Sequence, residues 1–194
     1  MDGQQDFRLQ MKRAAIIHLC AVRHGETEEN IARILQGHLP GRLSPLGREQ
    51  ARSLSRRICR EDFDAIVSSD LQRVVDTVRL MFDGEPAIPW ECSSLFREID
   101  WGSLTGTRIA DADLRHLPPD VETRFQLYQR AGRALNYLRS HYGGTTLLLV
   151  SHGLFLRSLL AHALHCPYEA LHTVPHLDNC EARWVEVQST VIED

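Results

Sequence analysis

The chain has 194 residues, 43% hydrophobic and 25% charged, long enough to bury the core of one domain. Its formal net charge of −4 excludes the basic stripe or face of a nucleic-acid binder, and no run is apolar for long enough to span a membrane. Residues 1–6 lack the basic and apolar regions of a signal peptide, so a cytoplasmic protein is expected.

Residues 1–13 are polar and read as a flexible tail, leaving residues 14–194 as a single domain. The apolar run from Ile16 to Val22 reads as a strand that ends in Arg23-His24-Gly25-Glu26-Thr27. Gly25 would let a substrate approach the backbone, and Thr27 would cap a helix starting at Glu28, whose free N–H groups suit an anion. Ser44-Pro45 reads as N-cap and first helical residue, with Gly47, Ala51, Leu54 and Ile58 recurring at helical spacing. The short strand Ala65-Ile66-Val67 leads to Ser68-Ser69-Asp70-Leu71-Gln72-Arg73, where Asp70 is the expected N-cap and Arg73 falls in the first helical turn. Leu71, Val74, Val75, Val78 and Phe82 would form that helix's apolar face.

Further along, Phe96-Arg97-Glu98-Ile99-Asp100-Trp101 sets carboxylates beside aromatic bulk. Residues 103–119, ending at Pro118-Pro119, read as a substrate-facing insertion. Val121, Phe125, Tyr128, Leu135, Leu138 and Tyr142 imply a longer helix, and Gly143-Gly144 turns the chain into a strand from Thr145 to Val150. That strand ends in Ser151-His152-Gly153 before another helical pattern, and Arg183 to Val187 alternates as a late strand. Strands alternating with helices give an α/β fold: a three-layer sandwich with a mainly parallel central sheet and helices on both faces. In such a sheet the strand carboxyl ends gather along one edge, where distant residues meet.

The five cysteines, Cys20, Cys59, Cys92, Cys166 and Cys180, show no C-x-x-C pair and read as reduced structural thiols. His162, His165, His172 and His176 lack a zinc-ligand signature, so no metal is expected. His18, within its strand, reads as structural. Arg23 and Arg73 suit phosphate oxygens, and their charge disfavours protonation of a neighbouring imidazole. For the acid, Glu98, Asp100, Glu91 and Glu26 all remain open on residue type alone. Asn30 fits equally a solvent-facing position in a first helical turn.

The ordered set Arg23-His24-Gly25-Glu26-Thr27 with Asn30, Gln36-Gly37, Gly47 with Gln50-Ala51, Arg73, Glu98, Gly102 with Gly106, and His152-Gly153 resembles the histidine phosphatase superfamily, which includes phosphoglycerate mutases and small phosphatases. The resemblance runs from about residue 14 to 187 and implies a phosphoglycerate mutase-like fold. It implies that His24 attacks phosphorus through Nε2 to give a phosphohistidine, with its other ring nitrogen held by a backbone carbonyl. Arg23 and Arg73 would bind the phosphoryl oxygens, and His152 would stabilise the transferring group. Glu98 would act as acid and then base, with a pKa raised by burial near Phe96 or Trp101. Asn30, Gln36, the Gly37 amide and Gly153 are further phosphate or substrate contacts. The implied activity is hydrolysis of a small phosphorylated metabolite without a cofactor. Phosphoglycerate mutase-type transfer is the alternative, followed by a non-catalytic phosphate-binding module. The 54 positions from Glu98 to His152 are short for a mutase and hold no Arg-Arg pair. Oligomeric state has no signal in the sequence.

Overall fold

Strands buried on both faces require a cover on each side, and the central strands here are of that kind. The computed structural model describes residues 14–58 and 63–192; the expected tail over residues 1–13 lies outside them. β1 (Ala14–Arg23), β2 (Ala65–Ser69), β3 (Trp90–Ser93), β4 (Thr146–Ser151) and β5 (Ala182–Ile192) form one sheet in the order β3-β2-β4-β1-β5. Neighbours run parallel except β5, which lies antiparallel along β1.

Leu147 and Leu149 of β4 point into one apolar cluster, while Leu148 and Val150 point into the other. The first cluster is closed by α4 (Arg124–His141) and α5 (Gly153–Ala163), through Leu127, Ala131, Leu135, Phe155 and Leu159. The second is closed by α2 (Pro45–Arg57) and α3 (Gln72–Phe82), through Ala51, Leu54, Val74, Val78 and Met81. This is the expected three-layer sandwich. Cys20 and Cys180 lie within the second cluster, and burial pushes both thiols up to about 12.

The helix starts follow local chemistry in two cases and depart from it in a third. Ser44 accepts the Gly47 amide with Pro45 in the first turn. Thr27 and Asn30 form a reciprocal capping box on the short α1 (Glu28–Ile31). Asp70, expected to cap α3, does not do so. The N-cap is Leu71, and Asp70 instead receives the Arg97 fork, Nε to Oδ1 and Nη2 to Oδ2, both at 2.6 Å. A bidentate charged pair outweighs a single capping bond.

The apolar face of α4 also differs from the expected one. Leu127, Ala131, Ala134, Leu135 and Leu138 are buried, whereas Phe125 is 47% exposed and meets Tyr168 edge-on with ring centroids 5.1 Å apart. Val121 precedes the helix and Tyr142 caps its end. β3 was not expected, because Trp90-Glu91-Cys92-Ser93 shows neither alternation nor an apolar run. Within the insertion, residues 106–109 are clipped to the 33–35 segment by Gly106 to Leu35, Leu35 to Thr107 and Ile109 to Arg33 backbone bonds.

Candidate active site

Parallel register brings the strand ends together: Arg23 of β1 stands opposite Ser151 of β4, and Ser68 of β2 opposite Val150. His24 follows directly and is 3% exposed. Its amide donates to Ser151 O at 3.0 Å, and its carbonyl accepts Asn179 Nδ2 at 2.9 Å.

The hydrogen bonds fix the imidazole tautomer. Arg73 Nε lies 3.3 Å from His24 Nε2, and a guanidinium only donates, so Nε2 is the bare nitrogen. Nδ1 therefore carries the proton and donates to Gly25 O at 2.7 Å. Burial above all, then the charges of Arg73 and Arg23, holds the His24 pKa well below its ordinary 6.5, with the Gly25 bond opposing. The result is a neutral ring with a lone pair held at a fixed place.

Arg73 is buried, with Nη2 donating to Gly37 O at 2.9 Å and Nη1 to Leu39 O. Burial lowers its pKa to about 10, so it stays charged at neutral pH; Glu98 and Glu29 support that charge and Arg23 opposes it. Arg23 donates from Nη1 to Leu177 O at 2.9 Å, while its buried Nε has no protein partner. Its pKa is lowered by burial, with Glu98 the largest opposing influence. Gly153 packs against this guanidinium, since a Cβ there would sit 3.4 Å from Nε.

His152, the N-cap of α5, stands edge-on to His24 with ring centroids 5.2 Å apart. Its Nε2 lies 2.8 Å from Ser69 Oγ, and its Nδ1 is buried and unpartnered. The Ser69 hydroxyl already accepts the Leu71 amide at 3.3 Å, so its own proton is free for His152 Nε2, which would leave the ring N–H at Nδ1. Burial, then Arg73 and His24, keeps the His152 pKa well below 6.5.

Glu98 is half-buried. Its Oε2 accepts Leu154 N at 3.1 Å, and its Oε1 accepts Phe155 N at 3.1 Å and Ile99 N at 2.9 Å. The helix N-terminus that receives a carboxyl group is thus that of α5 rather than α1. In α1 the Asn30 amide is taken by Thr27, and the Glu28 amide by Arg42 O. The other candidate acids have different neighbours. Glu91 accepts the hydroxyls of Tyr137 and Tyr142, Glu26 accepts Ser44, and Asp100 faces His38 at 3.6 Å.

Arg23, His24, Asn30, Gln36, Gly37, Arg73 and Glu98 line one cavity of about 170 Å³, together with Ile34, Leu35, Trp101, Ile109 and Leu154. His152 and Gly153 lie beside this wall, in contact with His24 and Arg23 respectively. Gln36 is buried with Oε1 unpartnered. Gly37, at φ +48°, lies in the wall and presents its carbonyl to Arg73. Gly25 meets a packing need, since its Cβ would lie 2.5 Å from Gly47 O. Of the insertion, Ile109 reaches the cavity. Sequence reasoning does not single out Ser69, Asn179, Thr77, whose Oγ1 accepts the Gly25 amide at 3.1 Å, or Arg130, which donates to Glu98 O at 3.0 Å and to Glu122. Asn179 and Arg130 carry no local signal, whereas Ser69 stands within a segment the sequence did single out.

The C-terminal histidines have separate partners: His162 stacks on Tyr128 at 3.9 Å, His172 faces Glu169 O at 3.1 Å, and His176 takes Arg157 at 2.7 Å. No helix among the described residues is long and apolar enough to cross a membrane.

The family model for the histidine phosphatase superfamily (branch 1) matches residues 19–192. A probable phosphoglycerate mutase, GpmB of Proteus mirabilis, is 30% identical over 193 residues, 90% of this chain and 87% of its own length. The adenosylcobalamin/alpha-ribazole phosphatase of Salmonella typhimurium is 29% identical, covering 80% and 83%. The solved structure of Bacillus stearothermophilus YhfR matches with a TM-score of 0.80 at 26% identity, over 91% of this chain and 94% of that one. The chain belongs to the histidine phosphatase superfamily, branch 1.

Proposed function

We propose that the chain is a phosphatase that hydrolyses small phosphomonoesters through a phosphohistidine at His24. One observation carries the reading: a buried, neutral imidazole holds an unprotonated Nε2 beside two arginines, one buried and one half-buried, the latter with a buried Nε that has no partner among the described residues. A phosphate dianion needs cations around its nonbridging oxygens and a lone pair in line with the bond that breaks. An unpaired buried donor is a donor for a ligand.

In the first half-reaction His24 Nε2 attacks phosphorus, the ester P–O bond breaks, and Glu98 gives its proton to the departing oxygen. In the second, Glu98 takes a proton from water, the water oxygen attacks phosphorus, and the P–N bond electrons return to Nε2. Inorganic phosphate leaves with the enzyme restored. Arg23, Arg73 and the Nδ1–H of His152 stabilise the charge that spreads over the phosphoryl oxygens. Neither step consumes a metal or cofactor.

Hydrolysis is favoured over mutase-type transfer by the cavity wall. Beyond Arg23 and Arg73 that wall offers Asn30 and Gln36, with Ile34, Trp101, Ile109 and Leu154. A phosphoglycerate carries a carboxylate beside its phosphate and needs a further cation there, whereas a neutral alcohol does not. The favoured substrate is therefore a phosphomonoester of an uncharged, partly apolar alcohol, met in the cytoplasm. Rapid quench with radiolabelled substrate should trap alkali-stable, acid-labile phosphate on His24, and His24→Ala should trap none. Label on a serine, or full turnover by His24→Ala, overturns the reading.

A further inference from the structure

We propose that Arg130 and Glu122 form a positioning clamp that sets Glu98 for proton transfer, an inference that rests on Glu98 being the acid. Arg130 lies on α4, away from the cavity wall, with its side chain only 15% exposed, as is that of Glu122. All five of its N–H donors are used. Nε and Nη2 grip Glu122 at 2.9 and 2.8 Å, Nη1 donates to Leu95 O at 3.1 Å and Arg97 O at 2.8 Å, and Nη2 donates to Glu98 O at 3.0 Å.

A saturated guanidinium fixes the backbone that carries Glu98 on one side. The same group lies 5.3 Å over the Phe155 ring, and the Phe155 amide holds Glu98 Oε1. Arg130 thus ties together both ends of the acid: the peptide from which it extends and the helix turn on which its carboxylate rests. Glu122 closes the loop, since its Oε2 also accepts the Asp100 amide at 3.1 Å, while its own amide donates to Asp100 O at 2.8 Å. A lysine could not substitute. It has three donors diverging from one point and no plane to lay on Phe155.

The partners of Arg130 are backbone carbonyls and a carboxylate outside the cavity, so it makes no contact with the phosphoryl group, and lysine keeps its charge. Its loss should therefore injure proton transfer to the leaving group, not phosphate binding. The full-length chain is assayed with an alkyl ester, β-glycerophosphate, and an aryl ester, p-nitrophenyl phosphate, whose leaving group needs little protonation. For Arg130→Lys, kcat/KM on the alkyl ester should fall about ten- to a hundredfold and on the aryl ester by less than about threefold, with inhibition by inorganic phosphate unchanged within about twofold; kcat/KM reports the half-reaction in which the leaving group departs, whereas the water step that Glu98 also serves is common to both esters. Glu122→Gln, which keeps the side chain's shape and serves if the lysine variant does not fold, should show the same selectivity. Combined with Glu98→Gln, either change should add little to the loss from Glu98→Gln alone.

Equal losses on the two esters, or losses that add to that of Glu98→Gln, overturn the clamp. If Glu98→Gln itself is unselective, the acid assignment fails and takes the clamp with it. If Glu98→Gln is selective while Arg130→Lys and Glu122→Gln are not, the clamp alone fails.

Discussion

A buried cation ordinarily costs several kcal/mol of lost hydration, yet Arg73 is 1% exposed, with the half-buried Arg23 close enough to oppose its charge. Its fork explains why the arrangement holds: the carbonyls of Gly37 and Leu39 and the ring nitrogen of His24 each take a different N–H. The same plane that anchors the guanidinium aims Nε at His24 Nε2. Lysine would keep the charge and lose the aim. Arg73→Lys should therefore lower kcat/KM by about a hundredfold or more, the scale of removing one preorganised donor from a transition state. Steady-state kinetics on p-nitrophenyl phosphate checks this, and a loss of only a few-fold would separate Arg73 from the transition state. The sequence revealed Arg73 because it falls in a helix's first turn after a strand end. It hid Ser69's hold on His152, because a serine beside another serine carries no directional information until the strands are paired.

Among the elements, α2 matters to the site although it adds no residue to the cavity wall. Its first turn approaches the loop after β1 so closely that a Cβ at Gly47 would lie 2.0 Å from Glu26 O. The contact is fastened by Gln50 Oε1, which takes the Glu26 amide at 2.9 Å, and by Ser44 Oγ, which donates to Glu26 at 2.7 Å. Both backbones are therefore held where His24 needs them. Gly47→Ala must push the helix off the loop, at about 2–3 kcal/mol of stability. Urea denaturation monitored by circular dichroism measures it, and an unchanged midpoint would mean the contact is looser than described. Gly47 and Gln50 could be read from the sequence as spacing, but their task could not, because a glycine kept for helix-to-loop contact looks the same as one kept for a ligand. The α3 cap was misjudged for a related reason: Asp70 met the local rule, but Arg97, 27 residues away, took its carboxylate. The α4 face failed at Phe125, where periodicity alone admits a neighbouring phase and the sheet selects Leu127, Ala131 and Leu135 instead.

For the whole molecule, two buried neutral histidines carry a stability cost that depends on pH. His24 and His152 are both buried between the sheet edge and its helices, and both have pKa values depressed well below 6.5 by burial and by Arg73. In the unfolded chain each returns to about 6.5. Below that pH the unfolded state binds a proton at each histidine that the native state refuses, so unfolding becomes easier as pH falls. The slope is up to about 1.4 kcal/mol per pH unit for each residue, so the two together should remove at most about 4 kcal/mol between pH 7.5 and 5. Asp70 acts in a different window, because its pKa is lowered from 3.8 by the Arg97 bond and its contribution is lost only at lower pH. Urea unfolding across pH 7.5 to 5 should show the decline, and His24→Asn should remove about half of it. Activity per native molecule should hold through the same range, since the native ring stays unprotonated. A flat unfolding free energy would mean that the folded protein accepts these protons, and the lone pair on which phosphoryl transfer depends would then be missing below neutral pH.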